Sequence, residues 1–327
     1  DYMLKMSCAN FPRNGEDVLT AIDGLNVAED NFSSKFIDKH RIALKCAHGK
    51  VMKDDFITTD KSIALDHLYG FIRHDKLRLE SGGQRCRDKA RKWNFRRSLH
   101  LYFDKTLEDV LDAFLIWATV TDRKTGTNII NVTRAFRRIE IYCDWLENEG
   151  DVLDDLPRNC DLMRQLENKF KPYIQYNYDE KNRFLLWQDL SQGAVCEIKR
   201  DFSYKERFQF LIWMTHLTMF DHKAQVNGVI YTRFLAFVGF SDFFQIVSYA
   251  NLAEWIKLQF SASSIKYVRV LTLAAPTYMR MYLLSVLKFV NRQTSYLHEI
   301  RKDSGLDVLR ELQIAHYIPA DYGDYCF

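Results

Sequence analysis

Cysteine and histidine are the residues in this sequence best suited to nucleophilic or metal chemistry, and their spacing favours neither. The seven cysteines are odd in number and scattered, with no C-x-x-C pair, which argues against a disulfide framework and a zinc site and favours a reducing compartment. The nine histidines show no ligand spacing, and no G-x-S-x-G, H-E-x-x-H, P-loop or G-x-G-x-x-G motif is present. The sequence therefore predicts no metal or other cofactor, and an enzyme is the least expected class.

Cationic side chains are the other group with an evident binding chemistry. Lys and Arg total 46 against 43 Asp and Glu, and the net charge of +3 is too small to imply a polyanionic partner. The segment 85–97 concentrates seven cations and one acid around Trp93 and Phe95. A solvated helix face, an interfacial membrane contact and a nucleic-acid patch all fit this segment. The balanced total charge gives no reason to expect a nucleic-acid partner.

Apolar patterning predicts the elements that would position a binding site. Hydrophobic residues make up 47% of the chain, enough for a large core. In the second half of the chain, strands alternate with helices. The strands are expected at 183–187, 228–237, 268–273 and 296–300, and the helices at 203–220, 242–260 and 277–290. This alternation predicts an α/β fold with a mostly parallel β-sheet covered by helices.

The helix predicted at 277–290 is nearly all apolar, which is too much apolar surface for one face of a sheet. At about 1.5 Å per residue its length is roughly 21 Å, short of the roughly 30 Å hydrocarbon core of a bilayer. No run of 18 apolar residues and no basic-then-apolar leader is present, so neither a transmembrane segment nor a signal peptide is predicted; a leader upstream of Asp1 stays open. The helix is therefore expected to cover something apolar without spanning a membrane.

Three regions are predicted along the chain. Residues 1–100 form a polar extension of unknown function, in which only 63–72 shows helical periodicity. Residues 101–153 are expected to form a small all-α unit, with helices at 104–118 and 132–147 joined by a turn at 125–128. The acidic, proline-containing stretch 147–158 is the expected linker, so that 154–327 forms the sheet domain.

The order and spacing of several short motifs resemble the CRAL-TRIO, or Sec14-like, lipid-binding family. FLIWA at 114–118 lies where the family has Arg-Phe-Leu-Arg-Ala, and DEKNRFLLWQDL at 179–190 resembles its D-x-x-G-R-P-V strand. QVNGVIY at 225–231, IKYVRVLTLAAP at 265–276 and PADYG at 319–323 are similar to its Gly-Val strand, its Asn-x-Pro segment and its closing Pro-x-x-Tyr-Gly. Asn182 replaces a family glycine, Ala274 replaces the asparagine, and the aspartate after Tyr231 and both helical arginines are missing. The chain thus resembles a divergent member.

The resemblance implies a hydrophobic cavity beneath a mobile gate helix. The expected cavity and gate residues are Phe208, Ile212, Tyr231, Phe234, Leu271, Leu273, Tyr278, Met281, Tyr282, Ser285 and Phe289. The last five are spaced three to four apart and would form a cavity-facing stripe, although ordinary sheet-covering core is the alternative. Polar groups facing such a cavity would set ligand identity, with Tyr231, Thr272, Tyr278, Ser285 and His216 as candidates. For His216 the alternative is a satisfied core histidine.

The resemblance also implies contact with a membrane. Lys266 matches a basic position where relatives bring a phosphoinositide headgroup to the cavity mouth, and the expected headgroup or membrane contacts are Lys266, Arg269, Arg280 and Lys288. Solvated surface charge is the alternative. The predicted protein is a cytoplasmic, transiently membrane-associated monomer that binds and transfers or presents a small hydrophobic lipid, retinoid-, tocopherol- or phosphoinositide-like, without catalysis. The alternative is an interaction module for a protein or membrane partner, its cavity filled by side chains such as Phe184, Trp187, Phe234 and Phe237.

Overall fold

In a computed structural model of the protein, residues 56–81, 107–122, 124–149, 160–246, 254–287 and 298–319 are described. These residues fall into two compact units, which divide between Arg137 and Arg138. The predicted boundary near Leu153, the cationic segment 85–97 and most of the closing PADYG motif lie outside the described residues. The predicted three-region organisation therefore stays a prediction.

The first unit combines helices with a short antiparallel sheet. It contains β1 (Ile57–Thr58), α1 (Lys61–Ser81), α2 (Leu107–Ala118), β2 (Thr119–Thr121), β3 (Asn128–Asn131) and the start of α3 (Val132–Glu149). The strands pair in the order β1-β3-β2, with β2 and β3 forming a hairpin. The unit predicted as all-α thus also contains a sheet. The β-branched residues Thr119, Val120, Ile129 and Ile130 favour strands on either side of the turn, and the predicted turn carries Gly126 at φ +69°.

The second unit is built around a five-stranded sheet, which confirms the predicted α/β fold with a mostly parallel sheet and covering helices. Its strands are β4 (Ile174–Tyr178), β5 (Phe184–Asp189), β6 (Val229–Phe234), β7 (Tyr267–Leu273) and β8 (His298–Ile300), in that spatial order. Strands β5 to β8 run parallel, and β4 is an antiparallel edge strand. All residues of β5 and β6 are buried, as expected for parallel strands covered on both faces.

The helices of this unit begin at recognisable sequence signals. They are α4 (Cys160–Phe170), α5 (Gln192–Asp201), α6 (Tyr204–Phe220), α7 (His222–Asn227), α8 (Phe240–Ile246), a π-helix (Lys257–Ala262), α9 (Thr277–Leu287), α10 (Leu306–Glu311) and a 3₁₀ turn (Ala315–Tyr317). Ser203 and Glu206 form a capping box at the start of α6. Asp221 caps α7 by accepting a hydrogen bond from the Ala224 N–H at 2.7 Å. The predicted helix at 203–220 is therefore confirmed.

Strand alternation gives the sheet two chemically different faces. One face packs six side chains against α10 and the residues that follow it; they are Leu185, Trp187, Ile230, Phe234, Leu271 and Leu273. On the opposite face, Leu186 and Gln188 of β5 align with Tyr231 and Arg233 of β6. The first face is apolar core, whereas the second carries buried polar side chains. The candidate site lies on the second face.

Candidate functional site

Two adjacent cavities lie between this second face of the sheet and the helices that cover it. The cavity lined by Arg207 and Arg233, here called the arginine cavity, has about 50 Å³ of space open to the centres of water molecules. The cavity lined by Tyr231 and Tyr267, here called the tyrosine cavity, has about 20 Å³. Since one water needs roughly 10 to 15 Å³ of such space, the first holds several waters and the second about one.

The arginine cavity has mostly apolar walls contributed by many elements. Two arginines and Gln188 supply most of its polar lining. The apolar walls come from the sheet, from helices α4, α5, α6, α8 and α9, and from the residues before the π-helix. The apolar residues that form these walls are Phe170, Ile174, Leu190, Ile198, Leu211, Leu235, Phe243, Trp255, Ile256 and Leu283. Because only one or two residues come from each element, the cavity depends on how the helices dock on the sheet.

Arg233 is the most unusual group in the site. Its side chain is buried, with the whole residue 9% exposed, and its Nη2 donates to the Thr272 hydroxyl at 3.0 Å. The guanidinium carbon lies 5.2 Å from the centroid of the Tyr231 ring, within cation–π range. Its Nε has no hydrogen-bond partner. Burial lowers the pKa of Arg233, yet an arginine side chain in a protein stays protonated. No carboxylate among the described residues forms an ion pair with it.

Arg207 is a second buried cation in the same cavity, but its donors are largely engaged. The Nη1 group donates to the Gln245 carbonyl at 3.0 Å, and Nε donates to the Ser203 carbonyl at 3.3 Å. Burial lowers the pKa of this guanidinium as well. The Gln245 contact joins α6 to α8, so Arg207 has a structural role in the docking of these helices.

The tyrosine cavity contains hydrogen-bonding groups that are only partly satisfied. The Tyr231 hydroxyl donates a short hydrogen bond to Oε1 of Gln188. Burial raises the pKa of Tyr231 above its usual value. In contrast, Oε1 of Gln259 and Nε1 of Trp255 have no hydrogen-bond partner. Four residues line both cavities, namely Ile174, Gln188, Leu211 and Trp255. Movement of Leu211 and Trp255 would join the two spaces.

The structure brings only some of the predicted cavity residues to this site. Tyr231 lines the tyrosine cavity, whereas Phe234, Leu271 and Leu273 lie in the apolar cluster on the opposite face. Phe208 and Ile212 are buried on α6, but Arg207, Leu211, Met214, Thr215 and Thr218 of that helix line the cavities instead. The cavity-facing stripe of α6 is thus displaced by one residue. Ligand contact by the predicted residues stays a prediction.

Helix α9 presents a different face from the predicted stripe. Leu283 lines the arginine cavity and Met279 is fully buried, whereas Met281 is 68% exposed. Tyr278 is 43% exposed, and its hydroxyl donates to the Val238 carbonyl in a short hydrogen bond. Tyr282 is half-buried. The side chain of Ser285 and the whole of Phe289 lie outside the described residues, so their predicted gate role is untested.

The predicted headgroup cations do not form one cluster. Lys266 is exposed just before β7, Arg269 is half-buried within it, and Arg280 follows its far end in α9. A seven-residue strand is about 23 Å long, so Lys266 and Arg280 belong to opposite ends of the sheet. Lys288 lies outside the described residues. Any membrane contact by these cations would involve two separate surfaces.

His216 is a satisfied core histidine, as the alternative interpretation held. Its Nδ1 lies 2.9 Å from the Ile212 carbonyl and its Nε2 lies 2.8 Å from the Tyr142 hydroxyl. A neutral ring satisfies both contacts, with Nδ1–H donating and Nε2 accepting. Burial lowers the pKa of His216 from 6.5 to about 4. The histidine does not line either cavity.

We expect His216→Gln to reduce the acid sensitivity of the protein. Between about pH 6.5 and pH 4 the unfolded chain binds a proton on this histidine while the folded state does not. Stability is therefore lost as the pH falls, by about 2 kcal/mol between pH 7.5 and pH 5 at 1.36 kcal/mol per pKa unit. Urea unfolding at both pH values measures the loss, which should be smaller by that amount in the variant. Equal losses in the two proteins would contradict the assignment.

Sequence reasoning missed Arg233, Arg207 and Gln188, although Arg233 carried a usable signal. It is the only charged residue in the strand VIYTRF, and it shares a face with Tyr231 two residues earlier. A cation in a fully buried parallel strand is costly unless something pairs with it. Gln188 shows the same pattern in β5, where it shares a face with Leu186.

The described residues contain no group of three or more His, Cys, Asp or Glu side chains positioned to hold a metal ion. In those same parts of the chain, no helix combines the length and the hydropathy required to cross a membrane.

Comparison with known proteins gave one structural likeness of limited extent. No family model and no curated protein matches the sequence. The chain is similar to the crystal structure of Sfh5, with a TM-score of 0.34 and 13% sequence identity. The matched region covers 52% of this chain and 65% of that one, so the chain spans less than two thirds of the length of Sfh5. At this TM-score the likeness has no bearing on function.

Proposed function

We propose that the chain binds a small, largely apolar molecule in the two cavities and does so without catalysing a reaction. The observation that carries the proposal is an apolar-walled space with a few buried polar atoms that lack partners: Nε of Arg233, Nε1 of Trp255 and Oε1 of Gln259. Binding sites for small molecules combine apolar walls with a few polar groups of this kind. Buried polar atoms without partners are costly, and a ligand that supplied partners would recover that cost.

Uptake requires the covering elements to move, because the cavities in this state have room only for waters. Displacement of Leu283 of α9, Leu211 of α6 or Trp255 before the π-helix would enlarge the space. A π-helix within an α-helical stretch is common at functional sites. This role for α9 agrees with the gate expected from the CRAL-TRIO resemblance, which remains part of the proposal.

The proposal extends to lipid transfer or presentation at membranes by a cytoplasmic monomer. Retinoid-, tocopherol- and phosphoinositide-like lipids are the ligand classes that the CRAL-TRIO resemblance implies. On α9, the exposed apolar side chains of Met281 and Leu284 lie beside Arg280, a combination suited to an anionic membrane surface. Lys266, Arg269 and Lys288 would contribute further cationic contacts.

The small size of the cavities favours a second candidate function, an interaction module whose interior is filled by its own side chains. Phe184, Trp187 and Phe234 are fully buried, and Phe237 is exposed at φ +59° after β6. Such a module would use its surface for a protein or membrane partner. Mass spectrometry of an organic extract of the native protein distinguishes the candidates, because only the first yields a bound apolar molecule.

A further inference from the structure

We propose that the ligand of the arginine cavity is an amphiphilic carboxylate, whose acid group pairs with the guanidinium of Arg233 and whose apolar body lies along the cavity walls. This inference rests on the proposed function and adds the chemical class of the ligand. It is carried by the charge and hydrogen-bonding state of Arg233, by the engagement of Arg207, and by the apolar lining that surrounds both.

Arg233 holds a buried positive charge without a described counter-charge. It extends from a strand in which every residue is buried, toward a cavity lined by apolar side chains. Taking a cation out of water is costly unless an anion or several hydrogen bonds replace the water. Within the described part of the chain, it donates one hydrogen bond to a neutral hydroxyl and lies over the face of an aromatic ring. An anion in the cavity would supply what is missing.

The described carboxylates nearest along the chain do not pair with Arg233. Asp189 ends β5 in register with Phe234, on the opposite face, and its Oδ1 accepts the Ser191 N–H at 2.8 Å. Glu254 lies next to Trp255; its Oε2 is 3.5 Å from Nζ of Lys257 and has no hydrogen-bond partner, but no carboxylate is among the groups that shift the pKa of Arg233. Of the segments beside cavity-lining elements that lie outside the described residues, 247–253 and 288–297 contain no acidic residue, and 150–159 contains Asp151, Asp154 and Asp155. Among the described residues no carboxylate pairs with Arg233, and the proposal assigns the anion to a ligand.

The available donors fit a carboxylate. Arginine binds carboxylates best through two parallel N–H···O bonds, and Nε of Arg233 is free to make one of them. Arg207 uses Nε and Nη1 for backbone carbonyls, whereas Nε of Arg233 has no partner, so Arg233 is the arginine of this cavity with a free edge. That edge fits the two oxygens of a single carboxylate.

The apolar body would follow the cavity walls. Leu190, Ile198 and Leu235 line the arginine cavity, and Leu211 and Trp255 line both it and the tyrosine cavity. A chain of several methylenes would therefore need Leu211 and Trp255 to shift and would then occupy both cavities. No charged side chain lines the tyrosine cavity, so the acid is expected at the end of the ligand near Arg233.

Calorimetric titration of the full chain with three probes of equal chain length tests the inference. The probes are dodecanoate, dodecanol and dodecyl phosphate, each below the concentration at which it forms micelles. We expect dodecanoate to bind at least about 10-fold more tightly than either of the other two, since a hydrogen-bonded buried charge pair outweighs a neutral contact. In Arg233→Met, dodecanoate affinity should fall about 100-fold, while dodecanol affinity stays within about 3-fold.

Two further variants keep the test interpretable. Arg233→Met should fold, because replacing a buried charge by an apolar side chain of similar size is often neutral or stabilising. Arg233→Lys keeps the charge but loses the planar pair of N–H donors of the guanidinium. Its affinity for dodecanoate is expected to lie between those of the wild type and Arg233→Met. Arg200→Met removes the same charge from an exposed position on α5, where Arg200 pairs with Asp201, and should bind like the wild type.

The outcomes separate this inference from the proposed function. Equal binding of dodecanol and dodecanoate, or full retention of dodecanoate by folded Arg233→Met, would overturn the carboxylate and leave ligand binding intact. Tighter binding of dodecyl phosphate than of dodecanoate would replace the carboxylate by a phosphate. If the folded wild-type protein bound none of the three, the proposed function would be contradicted together with this inference.

Discussion

Replacing Asp179 with alanine is expected to lower the free energy of unfolding by about 4 kcal/mol, because it leaves a largely buried arginine without its partner. The Asp179 side chain is 3% exposed, and its Oδ2 accepts a hydrogen bond from Nε of Arg183 at 2.6 Å. Its Oδ1 also accepts the backbone N–H groups of Lys181 and Arg183, which close the turn between β4 and β5. The loss of one carboxylate therefore leaves a cation and two backbone donors without partners.

The destabilising effect of Asp179→Ala should extend beyond the turn between β4 and β5. Arg183 Nη2 donates to the Leu312 carbonyl at 2.8 Å, so the ion pair also fixes the residues that follow α10 against β5. Chemical denaturation gives the difference in free energy, and Asp201→Ala is the matched control. Asp201 pairs with Arg200 on the surface of α5, and exposed ion pairs contribute little. Similar small effects for both variants would show that the Asp179 pair is not part of the structural core.

Replacing Leu211 with alanine is expected to destabilise the ligand-free protein by about 3 kcal/mol, the usual range for a buried leucine whose removal leaves a cavity. Leu211 lies between the arginine and tyrosine cavities and lines both. Its truncation would join them into one larger space. An apolar ligand could fill that space, so saturating dodecanoate should restore more stability to this variant than to the wild type.

The control for this experiment is Leu309→Ala. Leu309 is fully buried in α10 on the opposite face of the sheet, within the cluster that includes Trp187 and Phe234. A similar loss of stability is expected without ligand, since the same number of buried atoms is removed. Thermal unfolding with and without dodecanoate compares the two. Equal recovery in both variants would place ligand binding away from the cavities, and no recovery in either would argue against binding.

Much of the sheet domain could be predicted because its strands and caps are local signals. The run VIYTRF follows Gly228, whose φ of +86° and lack of side chain let it lie against the Lys266 carbonyl and Val268. Asn182 adopts φ +56°, a left-handed conformation that asparagine tolerates, in the turn between β4 and β5. Ala274 also adopts a left-handed conformation, at φ +53°, which alanine disfavours.

The site itself was harder to predict, because helices α6 and α9 are apolar around most of their circumference. Of the 17 residues in α6, the buried ones lie on nearly every face, so periodicity does not identify the one that meets the sheet. A shift by one residue separates the predicted Phe208 and Ile212 from the observed Arg207 and Leu211. Strand β4 was missed because its alternating polar residues are only half-buried, as expected at a sheet edge.

The central claim is that the cavities bind an apolar molecule, and mass spectrometry of the natively purified protein tests it most directly. The intact protein is weighed under non-denaturing conditions, and an organic extract of the same sample is analysed for small molecules. We predict a complex near one ligand per chain and an amphiphilic acid in the extract, both strongly reduced in Arg233→Met but present in Arg200→Met. A protein of unliganded mass with a clean extract, which also fails to bind dodecanoate or dodecanol, would contradict the account.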